Sequence, residues 1–181
     1  MKRSAVIVLV FAALVGGCKQ QQAQWDSGQA GQQQAVTPPV PGKSLDELRQ
    51  LEALAKANPN NKDAWIALGN AQMDSQRYAD AILAYQRALE IDPKNVDVRV
   101  DMGTCYRGVG QPEKALEEYR RAIKINPRHA NAHRNAGVVL AYDLKRPAEA
   151  EKEYQKYLDV YPGAPDAAQI QAEIRAMQAT R

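Results

Sequence analysis

Residues 62–93 read KDAWIALGNAQMDSQRYADAILAYQRALEIDP, and residues 96–127 read VDVRVDMGTCYRGVGQPEKALEEYRRAIKINP. Laid over each other, the two stretches agree at their glycines, alanines, tyrosines and final prolines. The agreement extends outward. Prolines fall at 59, 93, 127 and 162, in steps of 34, 34 and 35. Glycines at 69, 103 and 137, alanines at 81, 115 and 150, and tyrosines at 85, 119 and 154 keep the same period, with the same slip in the third copy. A fixed period of this size marks a repeat architecture. Each copy divides into two apolar-periodic segments of helix rather than strand length. Asp92-Pro93 and Asn126-Pro127 end the second segment, because the residue before a proline is pushed out of helical geometry. The additional residue of the third copy is expected in the turn near Asp143, where a loop tolerates insertion.

These residues resemble the tetratricopeptide repeat (TPR), a helix-turn-helix unit. The first copy carries Trp65, Leu68, Gly69, Ala81, Tyr85, Ala88 and Pro93 at the family's spacing. The second carries Met102, Gly103, Tyr106, Ala115, Tyr119, Ala122 and Pro127, and the third Gly137, Leu140, Ala150, Tyr154 and Pro162. The third departs with His133 where the first has Trp65, and with Tyr157 where the others have alanine. The resemblance implies an all-α, right-handed superhelical solenoid of antiparallel helix pairs. The glycines lie inside first helices, at a cost of about 1 kcal/mol against alanine. That cost is acceptable if it lets the second helix approach, with Ala81, Ala115 and Ala150 as the facing small residues and the tyrosines filling the space between units.

The expected organisation is a half-repeat helix at 44–61, TPR units at 62–95, 96–129 and 130–164, and a capping helix at 165–181: about eight helices and no sheet. Ser44-Leu45-Asp46-Glu47 has the form of a capping box. Leu45, Leu48, Leu51 and Leu54 form the expected apolar stripe, and counting back one period from Tyr85 and Ala88 lands on Leu51 and Leu54. At the other end Ile170, Ile174 and Met177 share a face, with polar residues outside, as a solenoid cap requires.

Ahead of the repeats the chain has another character. Residues 1–17 join Lys2 and Arg3 to an apolar run, Ala5 to Val15, that is too short to span a bilayer. This is the layout of a secretory signal peptide. Val15-Gly16-Gly17-Cys18 resembles the lipobox of bacterial lipoproteins, which implies cleavage before Cys18 and lipidation of its sulfur. Acyl chains would then hold the protein to the membrane. Lys19, in place of aspartate, favours the outer membrane facing the periplasm if the cell is Gram-negative. Residues 18–43, rich in Gln, Gly, Ala and Pro, are expected to form a disordered tether after the lipidated cysteine, stiffened at Pro38-Pro39-Val40-Pro41. Trp25 is its single aromatic residue.

Composition narrows the function. Lys2 and Arg3 account for two of the three net positive charges, so the mature chain is nearly neutral and offers no footprint for nucleic acid. No phosphate-binding loop, dinucleotide motif, nucleophile elbow or metal-ligating cysteine cluster is present. Catalytic residues, cofactors, a metal site and a small-molecule substrate are therefore not expected. His129 and His133 are four apart, but His129 precedes the expected helix start and His133 takes a packing position. Cys105 aligns with Ala71 and Val139 and is expected as a buried, inert thiol.

In the TPR family the first helices line a concave groove that binds a protein or peptide. Its positions map to Asp63, Ile66, Asn70 and Met73 in the first copy. They map to Asp97, Val100, Thr104 and Arg107 in the second, and to Asn131, Arg134, Val138 and Ala141 in the third. Asn70 fits the pattern of a clamp for a C-terminal carboxylate, but Ile66, Asp101, Asn131 and Asn135 depart from it. Charge reversal at Arg107 and Arg134 is expected to weaken partner capture without lowering the melting temperature. The implied function is that of a non-enzymatic, membrane-anchored adaptor in a bacterial envelope assembly, of the pilus/secretion or cytochrome-maturation type. The competing readings are a small envelope enzyme or redox protein using Cys105 or the histidines, and a structural envelope spacer.

Overall fold

The computed structural model of the chain describes residues 44–179. The expectations for the signal peptide, Cys18 and the tether fall outside the described residues. Eight α-helices follow in order: α1 (Leu45–Ala57), α2 (Lys62–Asp74), α3 (Tyr78–Ile91), α4 (Val96–Gly108), α5 (Pro112–Ile125), α6 (Ala130–Val138), α7 (Pro147–Val160) and α8 (Ala167–Ala179). No strand occurs among the described residues.

The helix boundaries follow from local chemistry. Ser44 and Glu47 complete a capping box, with Ser44 N–H donating to Glu47 Oε2 at 2.8 Å and Glu47 N–H to Ser44 Oγ at 3.2 Å. The first helices of the three pairs, α2, α4 and α6, start at equivalent residues, Asn61, Asn95 and His129. Each of these caps accepts a backbone N–H through its side chain. Such caps are each worth about 1 kcal/mol. Pro112 and Pro147 open α5 and α7, where a missing N–H costs nothing.

Within each pair the glycine notch holds a tyrosine ring. A Cβ built on Gly69 would lie 2.6 Å from Tyr85 Cε1, and one on Gly103 would lie 2.6 Å from Tyr119 Cε1. Gly137 meets Tyr154 in the same way. Each ring also shares a core cluster with the next unit, Tyr85 with Val98, Met102 and Cys105, Tyr119 with Ala132, Ala136 and Val139, and Tyr154 with Ile170 and Ile174, so the tyrosines fill the notch of their own repeat and the space between units. The aromatic ring needs the backbone itself as its wall. Ala81, Ala115 and Ala150, all fully buried, let the helices close around it.

A second regularity joins residues that look unrelated in sequence. Trp65 Nε1 donates to the Pro59 carbonyl at 3.0 Å, and Arg99 Nη2 to the Pro93 carbonyl at 2.8 Å. His133 Nε2 lies 3.0 Å from the Pro127 carbonyl, so it too must donate, a carbonyl having no proton to give. One position therefore carries three different side chains, and each of them pins the preceding loop through an N–H.

The third repeat absorbs its additional residue within the first helix, not in the turn. The turns themselves match. Gln76, Gly110 and Lys145 occupy equivalent sites and all have positive φ, at 58°, 73° and 55°. The next residue anchors each turn by the same bond: Arg77 N–H to Gln72 O, Gln111 N–H to Tyr106 O, and Arg146 N–H to Leu140 O. The surplus residue must then sit between Leu140 and Lys145, and there α6 widens into a π-helical turn, Val139–Asp143. A π turn takes one extra residue without breaking the helix, whereas a longer loop would lose the anchoring bond.

The terminal helices differ from each other. Ile170 and Ile174 of α8 are buried and Met177 is half-buried, so α8 covers the C-terminal end. The expected stripe of α1 is only partly used. Leu48 and Ala55 are buried and Leu51 is half-buried, but Leu45 and Leu54 are 66% and 51% exposed. Helix α1 packs mainly on α2, and that contact covers a face narrower than four leucines. The residue at the close contact is Ala55, one position later than the sequence period suggests.

Candidate functional site

The first helices α2, α4 and α6 approach one another in sequence, while the second helices α3, α5 and α7 do not make comparable neighbour contacts. The stack therefore curves with its first helices on the inner side. This inner face is where the sequence-derived groove residues belong. Asp63, Asn70, Asp97, Arg107 and Asn131 are exposed, and Ile66, Met73, Thr104, Arg134, Val138 and Ala141 are half-buried. Val100 is the exception: it is buried in the cluster with Leu116 and Tyr119, so this turn of α4 presents Asp101 instead. The cause is helical phase, since adjacent residues point about 100° apart.

The floor of the face is tied to the interior. Tyr85 Oη donates to Asn70 Oδ1 at 2.8 Å. Thr104 Oγ1 donates to the Val100 carbonyl at 3.1 Å, which leaves Tyr119 Oη, 3.2 Å away, as donor to Thr104. In the third repeat Val138 replaces the polar partner, and the Tyr154 hydroxyl lies against the Glu173 carboxylate of α8. Burial pushes the Tyr119 hydroxyl up to about 12, and Tyr85 and Tyr154 well above the usual phenol range.

The arginines of the face are engaged. Arg107 Nε donates to Asp143 Oδ2 at 2.6 Å, and Asp143 belongs to the π-helical turn. Arg134 Nε donates to Asp166 Oδ2 at 2.6 Å, and Tyr157 Oη donates to the other oxygen of the same carboxylate at 2.6 Å. These two donors hold the Asp166 carboxyl below the usual carboxylate range. Each arginine thus ties its helix to the next structural element, and neither stands as a free cation. Asn131, Arg134 and Asn135 share a cavity of about 500 Å³ with Tyr157, Tyr161 and Asp166.

The carboxylates of the first two repeats stand differently. Asp101 is half-buried, and burial, with Asp97 and Asp74 nearby, pushes its carboxyl up to about 6. His129 Nε2 lies 2.9 Å from Asp97 Oδ1. His129 Nδ1 accepts the Ala132 N–H at 3.2 Å, so the ring proton sits on Nε2 and is donated to Asp97.

A second cavity, of about 480 Å³, opens among the outer surfaces of α1, α2 and α3 and includes Trp65, Leu68, Gln72, Leu83 and Ala84. In the other repeats the equivalent space is crossed by a polar pair. Arg99 and Glu118 are 2.9 Å apart with both side chains largely buried, and His133 Nδ1 lies 2.7 Å from Glu153 Oε2. Sequence reasoning had no means of finding this contrast, because Trp65, Arg99 and His133 read only as departures from a pattern.

Cys105 is fully buried, and burial together with Asp101 pushes its thiol up to about 12. It is a closed, protonated thiol at neutral pH. Among the described residues no group of three or more His, Cys, Asp or Glu side chains is placed to hold a metal ion, and no helix is long and apolar enough to cross a membrane.

The chain matches the tetratricopeptide repeat family over residues 72–134 and 107–174, overlapping spans that together exceed half its length. This chain belongs to the tetratricopeptide repeat family. Members of this TPR family are generally interaction scaffolds rather than enzymes. Solved structures agree on the fold. The crystal structure of MamA protein superposes with a TM-score of 0.66 at 23% identity, covering 73% of this chain and 72% of that one. The first TPR of Spaghetti (RPAP3), bound to the HSP90 peptide SRMEEVD, gives 0.60 at 21% identity, covering 66% and 91%. The Sgt2 TPR domain from Aspergillus fumigatus gives 0.59 at 27% identity, covering 66% and 78%. No curated protein matches the chain.

Proposed function

We propose that this protein is a membrane-anchored adaptor of a bacterial cell envelope, held by lipid on Cys18, whose inner TPR face captures a protein or peptide partner. The observation that carries the reading is the inner face itself. Along α2, α4 and α6 it presents polar and apolar side chains, among them Asp63, Asn70, Asp97 and Asn131, whose exposure leaves them outside the core. A similar TPR domain, that of RPAP3, is bound to a peptide. The lipid anchor rests on the sequence around Cys18, with residues 19–43 as spacer between membrane and repeats. The assembly served would be of the pilus/secretion or cytochrome-maturation type, on the outer membrane facing the periplasm if the cell is Gram-negative.

The test separates anchor from adaptor. Cys18→Ser should abolish labelling by a radiolabelled or alkynyl fatty acid and move the protein from the membrane fraction to the soluble fraction. The folded repeats should keep their partner. Persistence of Cys18→Ser in washed membranes without label would refute the lipid anchor.

A further inference from the structure

The inner face has an uneven charge, and its unevenness specifies a partner. On the C-terminal side each cation is paired: Arg107 with Asp143 and Arg134 with Asp166. On the N-terminal side the reverse holds. Asp74 and Asp97 both stand near enough to Asp101 to act on its half-buried carboxyl, and no lysine or arginine among the described residues forms an ion pair with any of the three. The one basic group near them among the described residues, His129, is already engaged, with Nε2 2.9 Å from Asp97 Oδ1 and Nδ1 capping α6 at the Ala132 N–H. Ile66 and Met73 of α2, half-buried against the core, supply apolar surface on the same two-helix unit. Such a surface suits a side chain with an apolar stem and a cationic head.

We infer that the face formed by α2 and α4 binds a lysine- or arginine-bearing peptide segment, the cationic heads pairing with Asp101, Asp97 and Asp74 and the aliphatic stems lying on Met73 and Ile66. This rests on the adaptor reading above and adds the sign of the partner's charge. The same geometry turns away an acidic C-terminal segment of the SRMEEVD kind seen with RPAP3. A carboxylate entering here would meet Asp101 and find Ile66 in place of a cation. Like charges brought together across an interface weaken association, and complementary charges speed it.

The experiment uses the full chain in neutral detergent micelles and three fluorescein-labelled peptides of equal length, in which leucine alternates with lysine, glutamine or glutamate. Anisotropy should show the lysine peptide binding at least about tenfold tighter than the glutamate peptide, with an advantage that shrinks as salt is raised. Asp101→Asn should weaken the lysine peptide about three- to tenfold while raising the melting temperature, a combination that loss of folding cannot produce. Equal or tighter binding of the glutamate peptide, or an unchanged lysine-peptide Kd in Asp101→Asn, overturns the inference. Equal binding of all three peptides removes the charge preference but leaves the inner face as a binding surface. Absence of binding by any of them removes both.

Discussion

The interior of the helix pairs and the inner face obey different rules. Inside, the three repeats are close to copies: a glycine, a tyrosine ring against it, a fully buried alanine beside it, and a loop pinned by an N–H from one position. On the inner face the same helices carry Asn70, Thr104 and Val138 at one level, and Ile66, Asp101 and Arg134 at another. The interior repeats because each ring must fit one notch. The face varies because nothing in the fold dictates what stands there, and so it is free to carry specificity.

The largest effect should come from breaking the interior. Gly103→Ala places a methyl against the Tyr119 ring, which is 1% exposed and has no alternative site. Overpacking of this kind costs about 2–3 kcal/mol, measurable as a lower urea midpoint. A loss below about 1 kcal/mol would mean that the notch is softer than the geometry implies. Removing Arg99 should be nearly as damaging. Glu118 is almost fully buried and would keep only Arg121, 2.8 Å away on the solvent side. Arg99→Ala should cost about 2 kcal/mol, because an under-compensated buried carboxylate is left behind. Arg134→Ala cuts a half-exposed pair on the inner face and should cost less than about 1 kcal/mol. If the two arginines proved equal, the contrast between interior and face would fail.

A third variant works in the opposite direction. Folding raises the carboxyl of Asp101 from 3.8 to about 6. Its ionised form is therefore disfavoured in the native state, and stability falls as pH rises through the interval between those values. The groups around it are Asp74, Tyr85, Asp97, Cys105, Tyr119 and His129. Asp101→Asn should stabilise the protein by about 1 kcal/mol at pH 7 and by nearly nothing at pH 4. Thermal denaturation at both pH values decides it, and a difference independent of pH would reject the assignment. The smallest change belongs to the turns. Gln76 and Lys145 hold positive φ where the second repeat has Gly110. Lys145→Gly should gain up to about 1 kcal/mol by relieving left-handed strain.

The interior was legible in the sequence because it is repeated. Gly69, Tyr85 and Pro93 and their copies defined the helices, and the alignment of Cys105 with Ala71 and Val139 already marked it as buried. What the sequence concealed depends on partners far away in the chain. Arg107 and Arg134 read as groove positions whose charge the fold does not need, because their partner carboxylates lie 36 and 32 residues away. The interchange of Trp65, Arg99 and His133 read as divergence, because the shared N–H appears only when the proline carbonyls are in place. The additional residue near Asp143 read as a longer turn, because sequence period does not distinguish a loop insertion from a π turn. The leucines of α1 suggested a four-residue stripe, while one neighbouring helix buries only part of it.

The claim that the inner face is the working surface is tested most directly by photocrosslinking in the cells that make the protein. A benzophenone amino acid placed at Asn70 or Asn131 reports on that face, and one at Leu83, which is 62% exposed on a second helix, reports on the outside. The account predicts a discrete adduct from Asn70 and Asn131 and none from Leu83. An adduct from Leu83 alone would place the partner on the outer helices and contradict it.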